Sequence, residues 1–152
     1  MAKNTSKVKK VAVLTSGGDA SGMNACVRAC VRYALDQGYE VYGVKHGYKG
    51  MVNDEIFKME YSSVSNCVHA GGTILRSSRC PEFKEPEVMN AAVENLLKRG
   101  IENLIVIGGD GSFRGVEAMH EGTKLNVIGI PGTIDNDMGY TDSTIGFDTA
   151  CN

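Results

Sequence analysis

Short apolar runs alternate along this chain with longer segments in which apolar residues recur at helical spacing. Runs of about four to eight apolar, β-prone residues are typical of strands that are covered on both faces. They predict four strands, at residues 11–15, 41–44, 104–108 and 127–130, the last of which is stopped by Pro131. The run at 104–108 leads directly into a glycine-rich turn.

The segments with helical periodicity predict helices at residues 23–37, 86–99 and 113–122, and the start of another at 147–152. Gly38 and Gly100 are predicted C-terminal stops, and Ser112 is the predicted N-cap of the helix at 113–122. A less regular region precedes the helix at 86–99. Strands that alternate with helices predict an α/β fold with three layers and a mainly parallel sheet. In such sheets, ligands bind at the carboxyl ends of the strands.

Composition narrows the possible functions. The chain has 152 residues, enough for one domain with a substantial core. Its 16 Lys and Arg nearly balance its 18 Asp and Glu, so charge predicts neither nucleic acid nor an anionic membrane as a partner. Neither a signal peptide nor a membrane-spanning run is recognisable. Five cysteines without a C-x-x-C pair fit free thiols in a reducing cytoplasm.

The first candidate ligand site is the turn in which Gly108, Gly109, Asp110 and Gly111 lead to Ser112. Glycines let backbone N–H groups approach an anion, and a helix N-terminus favours negative charge, so this turn is suited to phosphate. A carboxylate does not bind phosphate directly, so Asp110 suggests an intervening Mg²⁺. The alternative is a tight turn without a ligand, since glycine-rich turns are common after parallel strands.

Two further loops would meet this turn at the same edge of the sheet. Residues 16–24, SGGDASGMN, form another glycine-rich turn before a helix, and they match neither the Walker A motif nor the G-x-G-x-x-G fingerprint. Residues 131–137 read PGTIDND. In an extended segment Thr133, Asp135 and Asp137 point to one side, which suits proton abstraction from an alcohol beside a phosphoryl group. The alternative is a turn whose carboxylates cap local N–H groups.

Five segments together resemble the 6-phosphofructokinase family, in that family's order and spacing. They are TSGGDASGMNA at 15–25, GGTILRSSRCPEF at 71–83, IGGDGS at 107–112, PGTIDND at 131–137 and TIGFDTA at 144–150. GGDG by itself is shared with NAD kinases and lipid kinases. The resemblance implies transfer of the ATP γ-phosphoryl group to the 1-hydroxyl of fructose 6-phosphate, with Mg²⁺.

The resemblance also implies roles for individual residues. Asp135 would be the proton acceptor, with Thr133 and Asp137 as further active-site groups. Thr133, Ile134 and Asp135 would contact the sugar phosphate, and Asp110 would bind Mg²⁺. The residues implied to contact ATP are Gly18, Tyr48, Arg79, Cys80, Gly109, Asp110, Gly111 and Ser112.

Two glycines bear on the phosphoryl donor. Family members that use pyrophosphate resemble GGDD and PKTIDND at these loops, where this chain has Gly111 and Gly132. An aspartate in place of Gly111 would fill space that the ATP α-phosphate needs. The resemblance therefore implies ATP as the donor.

Arg28 and Arg32 lie four residues apart on the first predicted helix and share a face. By itself this pattern is typical of two solvated charges on an amphipathic helix. In the bacterial family the matching arginines help to bind a nucleotide or phosphoenolpyruvate effector between subunits. A companion arginine of that site is replaced here by Tyr61.

The resemblance identifies residues 1–152 as an amino-terminal, ATP-binding α/β domain of a longer enzyme. We expect the second half to supply the rest of the sugar-phosphate site and to cover an apolar face of this part. The full-length enzyme is expected to be a cytoplasmic homotetramer. Two alternatives remain: another GGDG kinase, acting on NAD or a lipid, and a non-catalytic nucleotide-binding regulatory subunit.

Overall fold

A five-stranded sheet lies at the centre of the protein, for which a computed structural model describes residues 8–152. The strands are β1 (Lys10–Thr15), β2 (Glu40–Val44), β3 (Ile56–Met59), β4 (Asn103–Gly108) and β5 (Asn126–Pro131). They stand in the order β3-β2-β1-β4-β5. Neighbouring strands pair in parallel, except that β3 is antiparallel to β2. The predicted α/β fold with a mainly parallel sheet is confirmed, and so are all four predicted strands.

β3 is the strand that the hydrophobic pattern did not predict. It has four residues, IFKM, of which only Met59 is buried. A short edge strand of this kind lacks the continuous apolar run that indicates a central parallel strand. Pro131 belongs to β5 as its last residue, which is possible because β5 is the other edge of the sheet.

Five helices and two 3₁₀ turns surround the sheet within residues 8–152. The helices are α1 (Met23–Asp36), α2 (Gly47–Val52), α3 (Pro86–Leu97), α4 (Asp110–Gly122) and α5 (Phe147–Cys151), and the turns are Tyr61–Val64 and Pro81–Lys84. Gly38 and Gly100 follow α1 and α3 with left-handed φ angles of 79° and 72°, as predicted for helix stops. None of the helices in this part of the chain has the length and apolarity needed to cross a membrane.

The start of α4 corrects one prediction. The helix begins at Asp110 with Gly109 as its N-cap residue and without a side-chain capping bond, so Ser112 is not the N-cap. Ser112 is the third residue of the helix and is buried. Its hydroxyl packs against the backbone at Gly108 and Gly17. Because those two residues have no side chains, the serine fills the space between two turns instead of capping the helix.

The sheet has an apolar core on each of its faces. Helix α1 supplies one core, and α2, α3 and α4 supply the other. Alternate residues of β4 enter the two cores: Leu104 and Val106 face α3 and α4, whereas Ile107 belongs to the core of α1. These two cores account for the three predicted layers.

The face of β5 on the side of α1 is only partly covered. Ile128 is 64% exposed. It borders a groove of about 740 Å³ that Val11, Tyr33 and Ile105 also line, at the amino-terminal ends of the strands. This exposed apolar area therefore lies at the opposite end of the sheet from the glycine-rich loops.

A buried amide holds the irregular region between β3 and α3 against the rest of the fold. Asn24, only 2% exposed, donates from Nδ2 to the carbonyl oxygens of Ala70 and Gly72, both at 3.1 Å. Its Oδ1 accepts a hydrogen bond from the N–H of Ile74 at 2.8 Å. One side chain of α1 thus fixes the path of the segment that leads to Arg79.

We expect Asn24→Ala to lower the free energy of unfolding by about 2–4 kcal/mol, because it leaves three backbone groups without their partner. Urea denaturation followed by circular dichroism measures the change. Glu117→Ala, at an exposed position of α4, is the control and should change stability by less than about 0.5 kcal/mol. A loss for Asn24→Ala as small as that of the control would contradict this account.

Candidate active site

A cavity of about 860 Å³ opens at the carboxyl ends of β1, β4 and β5. All three loops predicted to hold a ligand contribute to its wall, together with the segment before α3 and one residue of α2. The lining residues are Ser16, Gly17, Gly18, Asp19, Tyr48, Ser78, Arg79, Cys80, Pro81, Gly109, Asp110, Gly111, Ser112, Gly132, Thr133, Ile134, Asp135 and Asp137. The structure thus brings every predicted catalytic, substrate, metal and ATP residue to one cavity.

Backbone contacts draw the three loops together. The N–H of Ser16 donates to the carbonyl of Ile107, and the N–H of Gly132 donates to the carbonyl of Gly108, both at 2.9 Å. A methyl group at Gly108 would lie 2.5 Å from Ser112 Oγ and 2.7 Å from the Ser16 carbonyl oxygen. Glycine is therefore needed at this position for the β4–α4 turn to reach the loop that follows β1.

Two other glycines leave open space instead. A methyl group at Gly18 or at Gly111 would meet no protein atom within 4 Å, and both residues line the cavity. Gly111 lies in the first turn of α4, where backbone N–H groups have no partner within the helix. The helix N-terminus and the free volume beside it form a suitable place for a phosphate group.

The cavity contains carboxylates in positions that suit Mg²⁺ held together with a phosphate. The side chain of Asp110 is 53% exposed, and its nearest cation is Arg114, with Nη2 3.1 Å from Oδ2. An exposed ion pair of this kind is weak, so a metal ion can displace the arginine. Residues 8–152 contain no group of three or more His, Cys, Asp or Glu able to hold a metal by themselves. Mg²⁺ commonly needs only one or two carboxylates when phosphate oxygens and water complete its shell.

The loop after β5 brings Asp135 and Asp137 into the cavity, but not in the extended conformation predicted from their spacing. The chain bends after Thr133, whose Oγ1 accepts a hydrogen bond from the N–H of Asp135 at 3.2 Å. Asn136 has a left-handed φ of 49°, and its Oδ1 accepts a bond from the N–H of Thr144 at 3.0 Å. The assumption of an extended segment was therefore wrong. Asp135 and Asp137 flank Asn136, whose side chain connects this local turn to Thr144.

Arg79 and Cys80 form another part of the cavity wall. Burial raises the pKa of the Cys80 thiol above its ordinary value, and the nearby Glu82 carboxylate raises it further. The thiol is therefore protonated at neutral pH and is a poor nucleophile. Cys80 contributes shape to this wall, whereas the exposed Arg79 contributes a positive charge.

Tyr48 lies behind the β4–α4 turn. Its side chain is buried, stacks on Phe83 with the ring centroids 4.3 Å apart, and donates a hydrogen bond to the Ser112 carbonyl at 2.6 Å. Burial raises the pKa of its hydroxyl, so the group stays a donor at neutral pH. Asp19 also lines the cavity, and sequence reasoning gave it no role although it belongs to the quoted loop 16–24.

Arg28 and Arg32 lie outside this cavity. Arg28 donates from Nη1 to the Val64 carbonyl at 2.5 Å. The guanidinium of Arg32 lies over the ring of Tyr61, 5.7 Å from its centroid, and the Tyr61 hydroxyl donates to Asp36. Both arginines thus face the 3₁₀ turn that follows β3, and the structure places Tyr61 beside them.

The chain is similar to phosphofructokinases in sequence and in fold. A family profile described as phosphofructokinase matches residues 10–152. An ATP-dependent 6-phosphofructokinase of Staphylococcus aureus is 62% identical over 146 residues, covering 95% of this chain and 45% of the relative. The chain therefore spans less than half the length of the curated relatives that it matches.

Solved structures agree with the sequence comparison. Pichia pastoris phosphofructokinase in the T-state superposes with a TM-score of 0.86 at 37% identity, over 97% of this chain and 17% of that one. Phosphofructokinase from Saccharomyces cerevisiae gives 0.85 at 39% identity, over 93% and 22%. The similarity thus extends over nearly all of this chain.

Gly108→Ala and Gly111→Ala make the same chemical change three residues apart and should differ in their effect. Gly108→Ala forces the loops after β1 and β4 apart and should cost about 1–3 kcal/mol of unfolding free energy. Gly111→Ala meets open space and should leave stability unchanged or raise it by up to about 1 kcal/mol. Thermal and urea denaturation measure both values. Equal losses would contradict the close approach at Gly108.

Proposed function

The chain belongs to the phosphofructokinase family, and on that premise we propose that the natural full-length protein phosphorylates fructose 6-phosphate at the 1-hydroxyl. ATP is the donor, and fructose 1,6-bisphosphate and ADP are the products. The observation that carries the proposal is the single cavity lined by Asp110 and Asp135 on different loops. That arrangement provides a metal ligand beside the nucleotide phosphates and a proton acceptor facing the sugar.

The nucleotide side of the reaction rests on α4 and the loop after β1. The N-terminus of α4 and the open space at Gly18 and Gly111 receive the phosphates. Arg79 supplies a positive charge from another part of the cavity wall. Mg²⁺, when bound through Asp110, neutralises negative charge on the transferring group.

The acceptor side rests on the loop after β5. Asp135 accepts the proton from the 1-hydroxyl as its oxygen attacks the γ-phosphorus, and the bond between that phosphorus and the β–γ bridging oxygen breaks to release ADP. Thr133 donates toward Asp135 Oδ2 at 3.5 Å, so it orients this carboxylate or the transferring group. Asp137 is the second carboxylate of the loop, and Ile134 contacts the sugar phosphate.

ATP is preferred over pyrophosphate as the donor because of the space at Gly111. The α-phosphate of ATP needs this space, and an aspartate there would occupy it with a negative charge. Gly132 supports the same preference, since a methyl group there would lie 3.0 Å from the Ile107 side chain. A long side chain at this position requires its neighbours to move.

The alternatives are less well supported. An NAD or lipid kinase would share the GGDG turn but not PGTIDND, and residues 10–152 match the phosphofructokinase family. Comparing NAD⁺ and fructose 6-phosphate as acceptors for the full-length protein separates these activities. A non-catalytic regulatory subunit would be expected to lack the proton acceptor, yet Asp135 lines the cavity.

The remaining expectations concern the full-length enzyme. We propose that it is a cytoplasmic homotetramer in which Arg28 and Arg32 bind an anionic effector. The exposure of Arg32 supports this role. Tyr61 takes the place of an arginine and hydrogen-bonds Asp36, so we expect weaker binding of a phosphorylated effector here than in relatives with three arginines.

Asp135→Asn should reduce kcat of the full-length enzyme by about 10²–10⁴-fold, because the amide cannot accept the proton from the sugar hydroxyl. The dissociation constant for Mg²⁺·ATP should stay close to that of the wild type. A coupled assay of ADP release and calorimetric titration of ATP measure the two quantities. Glu121→Gln makes the same change at an exposed position of α4 and should leave kcat unaltered. An active Asp135→Asn enzyme would overturn the assignment of the base.

Gly111→Asp should lower kcat/KM for ATP by at least about 100-fold while leaving the melting temperature within a few degrees, because a Cβ at this position meets no protein atom within 4 Å. Gly111→Asn has nearly the same size without the charge. It should retain more activity than Gly111→Asp, since it removes only the space. If both variants use ATP normally, the phosphates do not lie at this turn.

A further inference from the structure

Tyr48 connects α2 to the first turn of α4 through contacts that involve its whole side chain. Its hydroxyl donates to the Ser112 carbonyl at 2.6 Å. One face of its ring stacks on Phe83, with an angle of 14° between the planes. A methyl group at Gly115 would lie 2.8 Å from its Cζ and Oη. Glycine at position 115 therefore lets the tyrosine ring lie directly against the helix.

Capping and ion pairing do little to hold the N-terminus of α4. Gly109 provides no side-chain cap, and the ion pair between Asp110 and Arg114 is exposed on both sides. The hydrogen bond from Tyr48 is buried, so it is worth more to the helix than a bond in contact with solvent.

The tyrosine is itself held on a rigid base. A methyl group at the preceding Gly47 would lie 2.8 Å from the Thr15 carbonyl oxygen, which shows how closely α2 approaches the end of β1. Tyr48 and Met51 both belong to the core that covers one face of the sheet. Tyr48 thus connects the first turn of α4 to the core that covers the sheet.

We propose that Tyr48 is a positioning residue for the phosphoryl donor, which acts through the Ser112 carbonyl to hold the first turn of α4. This inference rests on the nucleotide-binding part of the proposed function. The turn carries Asp110 and the N–H groups at the helix terminus, so its placement determines where Mg²⁺ and the phosphates bind. A displacement of the turn should weaken binding of the phosphates and metal together.

This role differs from direct stacking on the nucleotide base. The Tyr48 ring is 7% exposed, with Phe83 on one face and Gly115 at its edge. Loss of the hydroxyl alone should therefore affect ATP and CTP by the same factor, because both carry the same triphosphate. Loss of a base contact would instead change the ratio of their affinities.

The test is Tyr48→Phe in the natural full-length protein, with Mg²⁺·ATP and Mg²⁺·CTP titrated by calorimetry in the absence of an acceptor. We expect both dissociation constants to rise about three- to tenfold, the effect of one lost hydrogen bond. Amide hydrogen exchange in residues 110–115 should accelerate. KM for fructose 6-phosphate should stay the same, since the loop after β5 makes no use of this bond.

Gly115→Ala is a second, independent variant. It should raise the dissociation constants of both nucleotides in the same way, because the methyl group displaces the Tyr48 ring. This is expected even though alanine ordinarily stabilises a helix more than glycine does. Tyr33→Phe is the matched control. Tyr33 is an exposed tyrosine on α1, so removal of its hydroxyl should change none of these quantities.

Unchanged dissociation constants in Tyr48→Phe, with or without a lower melting temperature, would overturn the proposal, and so would a change confined to ATP. The readouts also separate this proposal from the proposed reaction. A wild-type protein that binds Mg²⁺·ATP but does not phosphorylate fructose 6-phosphate would refute the reaction. The equal weakening of ATP and CTP by Tyr48→Phe would still support the positioning role.

Discussion

The close approach of two backbone turns at Gly108 is the constraint on which the rest of the site depends. β1 and β4 are neighbours in the sheet, so their carboxyl ends deliver the Ser16 loop and the β4–α4 turn to the same point. The Ser16 carbonyl leaves no space for a side chain at Gly108. Ser112 is buried between the two turns. The direction of α4 follows from this contact, and with it the direction of Asp110.

Much of the fold could be predicted because buried parallel strands and amphipathic helices have strong periodic patterns. The region between β2 and α3 could not, since it is fixed by tertiary hydrogen bonds and not by local preference. Thr15 at the end of β1 bonds with Thr73 and donates to the Arg76 carbonyl, both at 2.9 Å. Asn24 makes three comparable bonds. A single polar residue in a strand or helix does not indicate which distant residues it will bond.

The candidate site shows the same division between local and tertiary information. The convergence of three loops was predicted because the carboxyl ends of parallel strands lie at one edge of the sheet, and the cavity agrees with it. The N-cap role of Ser112 was wrong because burial between glycine turns outweighed its capping preference. The carboxylates of residues 135 and 137 both line the cavity, but they do so through a turn at Asn136 and not through the extended segment that their spacing predicted.

The two sides of the cavity differ in how deeply their residues are buried. On the nucleotide side, Ser16, Tyr48 and Ser112 are buried and joined to the sheet or to each other, so this wall is preorganised. On the acceptor side, Ile134 and Asp135 are exposed, and the loop is tied to the segment at 144–145 by Asn136 and by the backbone of Thr133. A change at Gly108 should alter both sides, because its carbonyl accepts the hydrogen bond from the Gly132 N–H in the loop after β5. Changes at Ile134 should stay confined to the acceptor, since its side chain takes no part in either core. Under the proposed function, the donor therefore meets a buried and fixed surface, whereas the acceptor meets the exposed residues of one loop.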